Sequence, residues 1–212
     1  MSVLSIHQCI PSVSYCIWQI TEAEGFFWER LQLHPEDEAA IRQLKLPSRR
    51  LERLACRAAL AQLLPSTPLH ISYLPNGRPV MEGHHLSFSH CKELSAAAIA
   101  PFPVGIDIEP ISERILKLYS RIVNQQEMKY FDISNPTHLH LCWGAKEAIY
   151  KYLPQLPSDY LNDITLIGNP SDPQLTGQVK TPDGILFTHI YPSIIQDNMV
   201  VICTPDKLET KP

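Results

Sequence analysis

Residues 13–20 (Val-Ser-Tyr-Cys-Ile-Trp-Gln-Ile) are rich in β-branched and aromatic side chains and predict a first strand. Residues 36–46 and 48–64 carry apolar positions at helical spacing. They predict two helices broken by Pro47, with Ser48 as N-cap of the second. Residues 69–74 and 79–81 flank Pro75-Asn76-Gly77-Arg78, and Asn-Gly between apolar runs predicts a hairpin. Short strands are predicted over 86–89, 95–100 and 104–108. Residues 124–131 and 137–153 return to helical spacing, the second stretch stopping before Pro154. Strands follow over 163–167, 175–180, 185–190 and 199–203, with a turn at Pro182-Asp183-Gly184.

Each half thus combines helices with a few antiparallel strands and no βαβ rhythm, which predicts an α+β fold. The seam falls at Pro101-Phe102-Pro103, giving an N-terminal lobe over 1–102 and a C-terminal lobe over 103–212. The halves show no sequence repeat. The polar residues 207–212 are expected to fray.

Composition narrows the class. The 212 residues are 44% hydrophobic, 19% charged and 8% aromatic, which excludes a disordered chain. Eighteen Lys and Arg against 22 Asp and Glu give a net charge of −4. A broad electrostatic grip on nucleic acid or an anionic membrane is therefore not expected. The six cysteines (Cys9, Cys16, Cys56, Cys91, Cys142, Cys203) are dispersed with no C-x-x-C pair. The opening Met-Ser-Val-Leu-Ser-Ile lacks a secretory pattern, and no apolar run reaches the roughly 18 residues of a membrane span. The expectation is a cytoplasmic protein with reduced, mostly buried thiols.

Four constellations could carry chemistry. In Val104-Gly105-Ile106-Asp107-Ile108-Glu109 a strand would aim both carboxylates to one side and both isoleucines to the core. Two close carboxylates repel unless a cation sits between them, and hard oxygen ligands suit Mg²⁺. Taken alone, the pair also fits a solvated strand end. On the long helix, Trp143-Gly-Ala-Lys146-Glu147-Ala-Ile-Tyr150-Lys151 puts Glu147 and Lys151 on one face, with Lys146 beside them. This is either a surface ion pair or a third metal carboxylate with two cations for phosphate. Phe88-Ser89-His90-Cys91 lacks a nucleophile elbow and offers either a structural histidine or a phosphate-binding pair. Arg50, Arg53 and Arg57 form a basic stripe, either solvated or set to hold a polyanion. The spacing His138-x-His140-x-Cys142 would gather zinc ligands only on a strand, and this segment reads as helix.

In combination and order, Gly77-Arg78-Pro79, Phe88-Ser89-His90, the Asp107/Glu109 block and the Trp143–Lys151 block resemble the 4′-phosphopantetheinyl transferase superfamily. The likeness is to its two-lobed bacterial (surfactin-synthetase-activating) type and covers roughly residues 45 to 155. It implies two similar α+β lobes with pseudo-twofold symmetry and an active site in the cleft between them. It also implies transfer of 4′-phosphopantetheine from coenzyme A to a serine of an apo acyl or peptidyl carrier protein, releasing adenosine 3′,5′-bisphosphate. By that resemblance Asp107, Glu109 and Glu147 would bind Mg²⁺. Asp107, Glu147 and Lys151 would be catalytic, with Glu147 or a carboxylate-held water as base. Arg50, Arg57, Gly77, Arg78, Pro79, Ser89, His90, Lys146 and Lys151 would bind coenzyme A. Glu127 would orient substrate or metal-bound water. Arg114, Lys117, Arg121 and Met128 would meet an acidic carrier, and the protein would act as a monomer. A coenzyme A- or carrier-binding protein without catalysis and a metal-dependent phosphohydrolase are the rival readings.

Overall fold

Two 17-residue helices and two antiparallel sheets hold most of the buried apolar surface. The computed structural model describes residues 3–10, 12–65, 68–155 and 157–206. The tail expected to fray, residues 207–212, lies outside them, as does the Cys9 side chain. The chain forms two compact units, Met1–Pro101 and Phe102–Pro212. Both mix helices with antiparallel strands, so the protein is α+β.

The first unit contains β1 (Val3–Ile10), β2 (Val13–Gln19), α1 (Glu24–Arg30), α2 (Pro35–Arg42) and α3 (Pro47–Leu63). It continues through β3 (Ser72–Tyr73), β4 (Pro79–Val80), β5 (His85–Cys91) and β6 (Leu94–Ala100). Its sheet runs β1-β2-β6-β5, with β3 and β4 as a separate hairpin. Helix α3 packs on β2 and β6. Ala55, Ala58 and Ala59 on the helix meet Cys16, Trp18 and Ala97 on the sheet, the small helical side chains admitting a close approach. Ser48 is not the N-cap. Pro47 takes the first helical position and Leu46 the cap, since a proline without an N–H fits where that donor would be unused. The predicted Asn-Gly turn closes β3 on β4, with Gly77 at φ +81° and its N–H donating to Leu74 O at 2.8 Å.

The second unit contains β7 (Gly105–Pro110), a 3₁₀ helix (Glu113–Leu118), α4 (Tyr119–Ile122), a 3₁₀ turn (Glu127–Lys129) and α5 (Pro136–Tyr152). Then come α6 (Tyr160–Asp163), β8 (Ile164–Ile167), β9 (Leu175–Thr181), β10 (Gly184–Ile195) and β11 (Asn198–Pro205). The sheet order is β7-β11-β10-β9-β8, and α5 crosses β7 and β11. Asn135 caps α5 by accepting the Thr137 N–H at 2.9 Å, Pro136 follows it, and the helix stops before Pro154. The helix predicted over 124–131 shrinks to the 3₁₀ turn. There Asn124 Oδ1 takes the Gln126 and Glu127 N–H groups, and Glu127 turns its carboxylate inward. Cys16, Cys56, Cys142 and Cys203 are buried, Cys91 is half-buried, and all five are free thiols. Among the described residues no helix is long and apolar enough to cross a membrane.

Candidate active site

The site in the second unit is set by how closely α5 approaches β7. Gly105 faces Ala148, where a side chain on residue 105 would overlap the Ala148 carbonyl. One turn earlier on the helix, a Cβ on Gly144 would stand 3.4 Å from Asp107 Oδ2. Two glycines therefore let Asp107 sit beneath the helix, buried, with Ile106 and Ile108 turned to the opposite face and fully buried.

The strand and helix periods then deliver the remaining groups. Lys151 Nζ donates to Asp107 Oδ1 at 2.7 Å and to Ile106 O at 3.0 Å. Burial, Asp107 and Glu147 together push the Glu109 carboxyl up to about 7, against the opposing pull of Lys151 and of a hydrogen bond with Trp143. Burial also raises Glu147, as does Asp107, while the Tyr160 hydroxyl donates to its Oε1 at 2.9 Å. Burial and the adjacent Glu147 charge hold the Tyr160 phenol well above its ordinary range. The structure thus brings Asp107, Glu109, Glu147 and Lys151 together.

Three carboxylates with no thiol or imidazole among them form a hard-oxygen donor set. Three carboxylates against the single lysine leave the set with negative charge to spare. Those residues fit a Mg²⁺ ion.

Lys146 and Glu127 stand elsewhere. Both are fully buried, paired at 2.9 Å, and Lys146 also donates to Leu161 O at 3.1 Å. Glu127 further accepts the Asn124 N–H at 2.8 Å and the Leu166 N–H at 2.9 Å. The pair ties α5 to the 3₁₀ turn and β8, and leaves Lys146 no route to a solvent-borne phosphate. The three zinc-like side chains also separate on the helix. His138 accepts the Asp132 N–H, His140 accepts the Ser112 N–H, and Cys142 donates to Ile122 O.

The first unit divides its predicted ligands. Arg57 is 1% exposed and forked onto Asp37, with Tyr73 OH 2.9 Å from Nη2. Burial alone would lower its pKa, yet Asp37 and Tyr73 raise it. Arg50 reaches Glu24 at 2.9 Å and Leu44 O at 2.9 Å with its head group still partly open. Arg53 donates to Tyr73 OH at 2.9 Å. Gly77 lines a cavity of about 300 Å³ with Arg53, Arg57, Tyr73 and Asp37, and the half-buried Arg78 and Pro79 follow it on the hairpin. Ser89 and His90 do not form one pair. Adjacent strand residues face opposite sides, so Ser89 is buried while His90 lies 3.6 Å from Glu52 on α3.

Sequence reading missed Tyr160 and the Trp143 bond to Glu109. Tyr160 has no signal, because its approach to Glu147 depends on the irregular segment before α6. Trp143 was visible in the same helical block, but nothing in that block reports its reach to Glu109.

Residues 103–194 match the family model of the 4′-phosphopantetheinyl transferase superfamily. The match covers less than half of the chain, and Asp107, Glu109, Glu147 and Lys151 all lie within the matched segment. No curated relative matches the chain.

Proposed function

We propose that the protein is a Mg²⁺-dependent holo-[acyl-carrier-protein] synthase of the two-lobed type, working as a cytoplasmic monomer. It transfers 4′-phosphopantetheine from coenzyme A to a serine of an apo carrier protein. The observation that carries the reading is the buried Asp107–Glu109–Glu147 set with Lys151, inside the segment that matches the superfamily.

The serine oxygen attacks the phosphorus next to the pantetheine arm. The pyrophosphate P–O bond breaks, and adenosine 3′,5′-bisphosphate leaves while the hydroxyl proton goes to a base. Such transfers depend on positioning and charge neutralisation more than on covalent help from the protein. A bound Mg²⁺ would supply Lewis-acid neutralisation of the pyrophosphate, held by Asp107, Glu109 and Glu147. Glu147, raised by burial, is suited to take the hydroxyl proton, and the Tyr160 hydroxyl orients it. Lys151, fixed by Asp107 and Ile106 O, presents a positive charge for the leaving bisphosphate. Lys146 supports this arrangement from within the core rather than as a ligand.

Recognition of the 3′-phosphate falls to the first-unit basic side chains that keep part of their surface open, Arg50, Arg78 and His90, with Ser89, Gly77 and Pro79 shaping their surroundings. Arg57 holds the fold there through Asp37. The carrier contact is assigned to Arg114, Lys117, Arg121 and Met128, all exposed, with the exposed Leu118 and Tyr119 adding apolar surface. Cations around exposed apolar side chains suit an acidic partner. The net charge of −4 gives no support to nucleic-acid or membrane binding.

The test is to mix protein, coenzyme A, Mg²⁺ and a panel of apo carriers and weigh the carriers by mass spectrometry. A phosphopantetheine added only with Mg²⁺ supports the reading. Coenzyme A binding without any modified carrier favours a binder that lacks catalysis, and phosphoester cleavage without a carrier favours a phosphohydrolase.

A further inference from the structure

Two chain segments of the first unit are laid side by side by a parallel bridge between Leu33 and Leu69. His34 N–H donates to Leu69 O at 3.0 Å, and Leu69 N–H donates to Gln32 O at 3.3 Å. The next residue on each segment is a histidine. The His34 and His70 rings stack with centroids 3.7 Å apart and planes 21° from parallel. Glu36, in the first turn of α2, reaches both: its Oε2 is 3.6 Å from His70 Nε2 and 4.0 Å from His34 Nδ1. One ligand atom from each of the three lies within 4.8 Å of the other two.

We propose that His34, His70 and Glu36 form a surface binding site for a borderline transition-metal ion of the Zn²⁺ class, with water filling the remaining positions. The donor chemistry selects the metal. Two imidazoles and one carboxylate suit Zn²⁺, Co²⁺ or Ni²⁺. Mg²⁺ and Ca²⁺ demand oxygen, which only Glu36 offers. The backbone bridge fixes both imidazole-bearing Cα atoms before any ion arrives, so binding orders side chains and not the chain. Solvent reaches all three groups, the His34 and His70 side chains being 39% and 55% exposed.

Three features work against the ion and set its strength. The rings must splay from their stack for their lone pairs to converge, and exposed rings can do so. The site also sits at the start of α2, where the helix dipole is positive. Binding also gives up the long 3.4 Å bond from Glu36 N–H to His34 Nδ1. The charge of Glu36 offsets the dipole. The site is therefore weaker than a closed four-ligand structural zinc centre. It is independent of the transferase reading, sharing no residue with the carboxylate set of the second unit.

The test is calorimetric titration of tag-free protein with Zn²⁺ in saturating Mg²⁺, which occupies hard-oxygen sites. The expected result is one Zn²⁺ per chain, weakened about tenfold or more in His70→Gln. Glu36→Gln should lose less, and His84→Gln and Asp107→Asn should bind as wild type does. His70→Gln is an exposed change, and its circular dichroism and melting curve establish that the chain stays folded. Absence of stoichiometric Zn²⁺ binding, or undiminished affinity in His70→Gln, overturns the proposal.

Discussion

Gly105 on β7 and Ala148 on α5 approach so closely that the strand residue has no room for a Cβ beside the helix carbonyl. The contact sets the depth at which α5 lies over the strand, and hence the reach of Lys151 to Asp107. Gly144, by contrast, has only side-chain neighbours near its missing Cβ: Val201 Cγ2 at 3.1 Å and Asp107 Oδ2 at 3.4 Å.

The two glycines should therefore respond differently to alanine. Gly105→Ala must push strand and helix apart and should cost about 1–3 kcal/mol in urea unfolding, with a fall in carrier modification. Gly144→Ala gains helix propensity worth about 1 kcal/mol against its tight contacts, so its stability should stay within about 1 kcal/mol of wild type. Equal losses for the two would show that the backbone contact is not what sets the helix depth.

Lys146 and Glu127 predict a stability effect rather than a binding effect. Lys146→Met leaves Glu127 buried without its cation and should cost about 3–5 kcal/mol. Lys146→Met with Glu127→Gln should recover much of that loss, because no net charge then stays buried. Denaturant curves for the three proteins decide the matter. A Lys146→Met protein of wild-type stability with a raised KM for coenzyme A would return Lys146 to the ligand set.

These two residues mark where sequence reading succeeds and fails. Asp107 and Glu109 were legible because a strand repeats every two residues, and Glu147 with Lys151 because a helix repeats every three to four. Each pair is local. Lys146 carries the same helical signal, but its partner Glu127 comes from a separate turn, and nothing local reports that pairing. Arg57 was read as part of a stripe for the same reason, its true partner being Asp37 on α2. Ser89 and His90 were legible as neighbours, and strand alternation alone turns them to opposite faces. Among the elements, β1 and α1 were missed outright. The end of β10 was missed because Pro192 argues against a strand. It is tolerated there because β9 pairs with β10 only as far as Ile190. The β10–β11 turn also hides its identity, placing Gln196 at φ +46° and Asp197 at φ +59° where glycine or asparagine is usual.

Glu109 predicts a pH effect with a definite sign. Its carboxyl is pushed up to about 7, so between the ordinary carboxylate range and pH 7 the folded chain keeps a proton that the unfolded chain releases. Folding stability from this group therefore falls as pH rises through that window. In chelator, wild type should lose more melting temperature between about pH 5 and about pH 8 than Glu109→Gln does. Added Mg²⁺ should restore wild type at the alkaline end. Parallel curves for the two proteins in chelator would mean that Glu109 is not strained by its neighbours.

Arg50 and Arg57 lie on one helix and predict opposite outcomes. Arg57, fully buried against Asp37, should unfold the first unit when replaced, Arg57→Ala costing about 3–5 kcal/mol. Arg50 keeps 23% of its side chain open beside Glu24, so Arg50→Ala should leave a folded protein. If its guanidinium holds the 3′-phosphate, one charge-assisted bond worth about 1.5–3 kcal/mol is lost, raising the KM for coenzyme A roughly ten- to a hundredfold. Because that bond is made in ground and transition state alike, kcat should change little. Dephospho-coenzyme A, which lacks the 3′-phosphate, supplies the control: wild type should use it poorly, and Arg50→Ala should discriminate less between the two coenzymes than wild type does. Wild-type protein that used both coenzymes equally would remove Arg50, Arg78 and His90 from the phosphate assignment. A stable Arg57→Ala protein with a raised KM would instead make Arg57 the ligand, with Asp37 as its anchor when no coenzyme is bound.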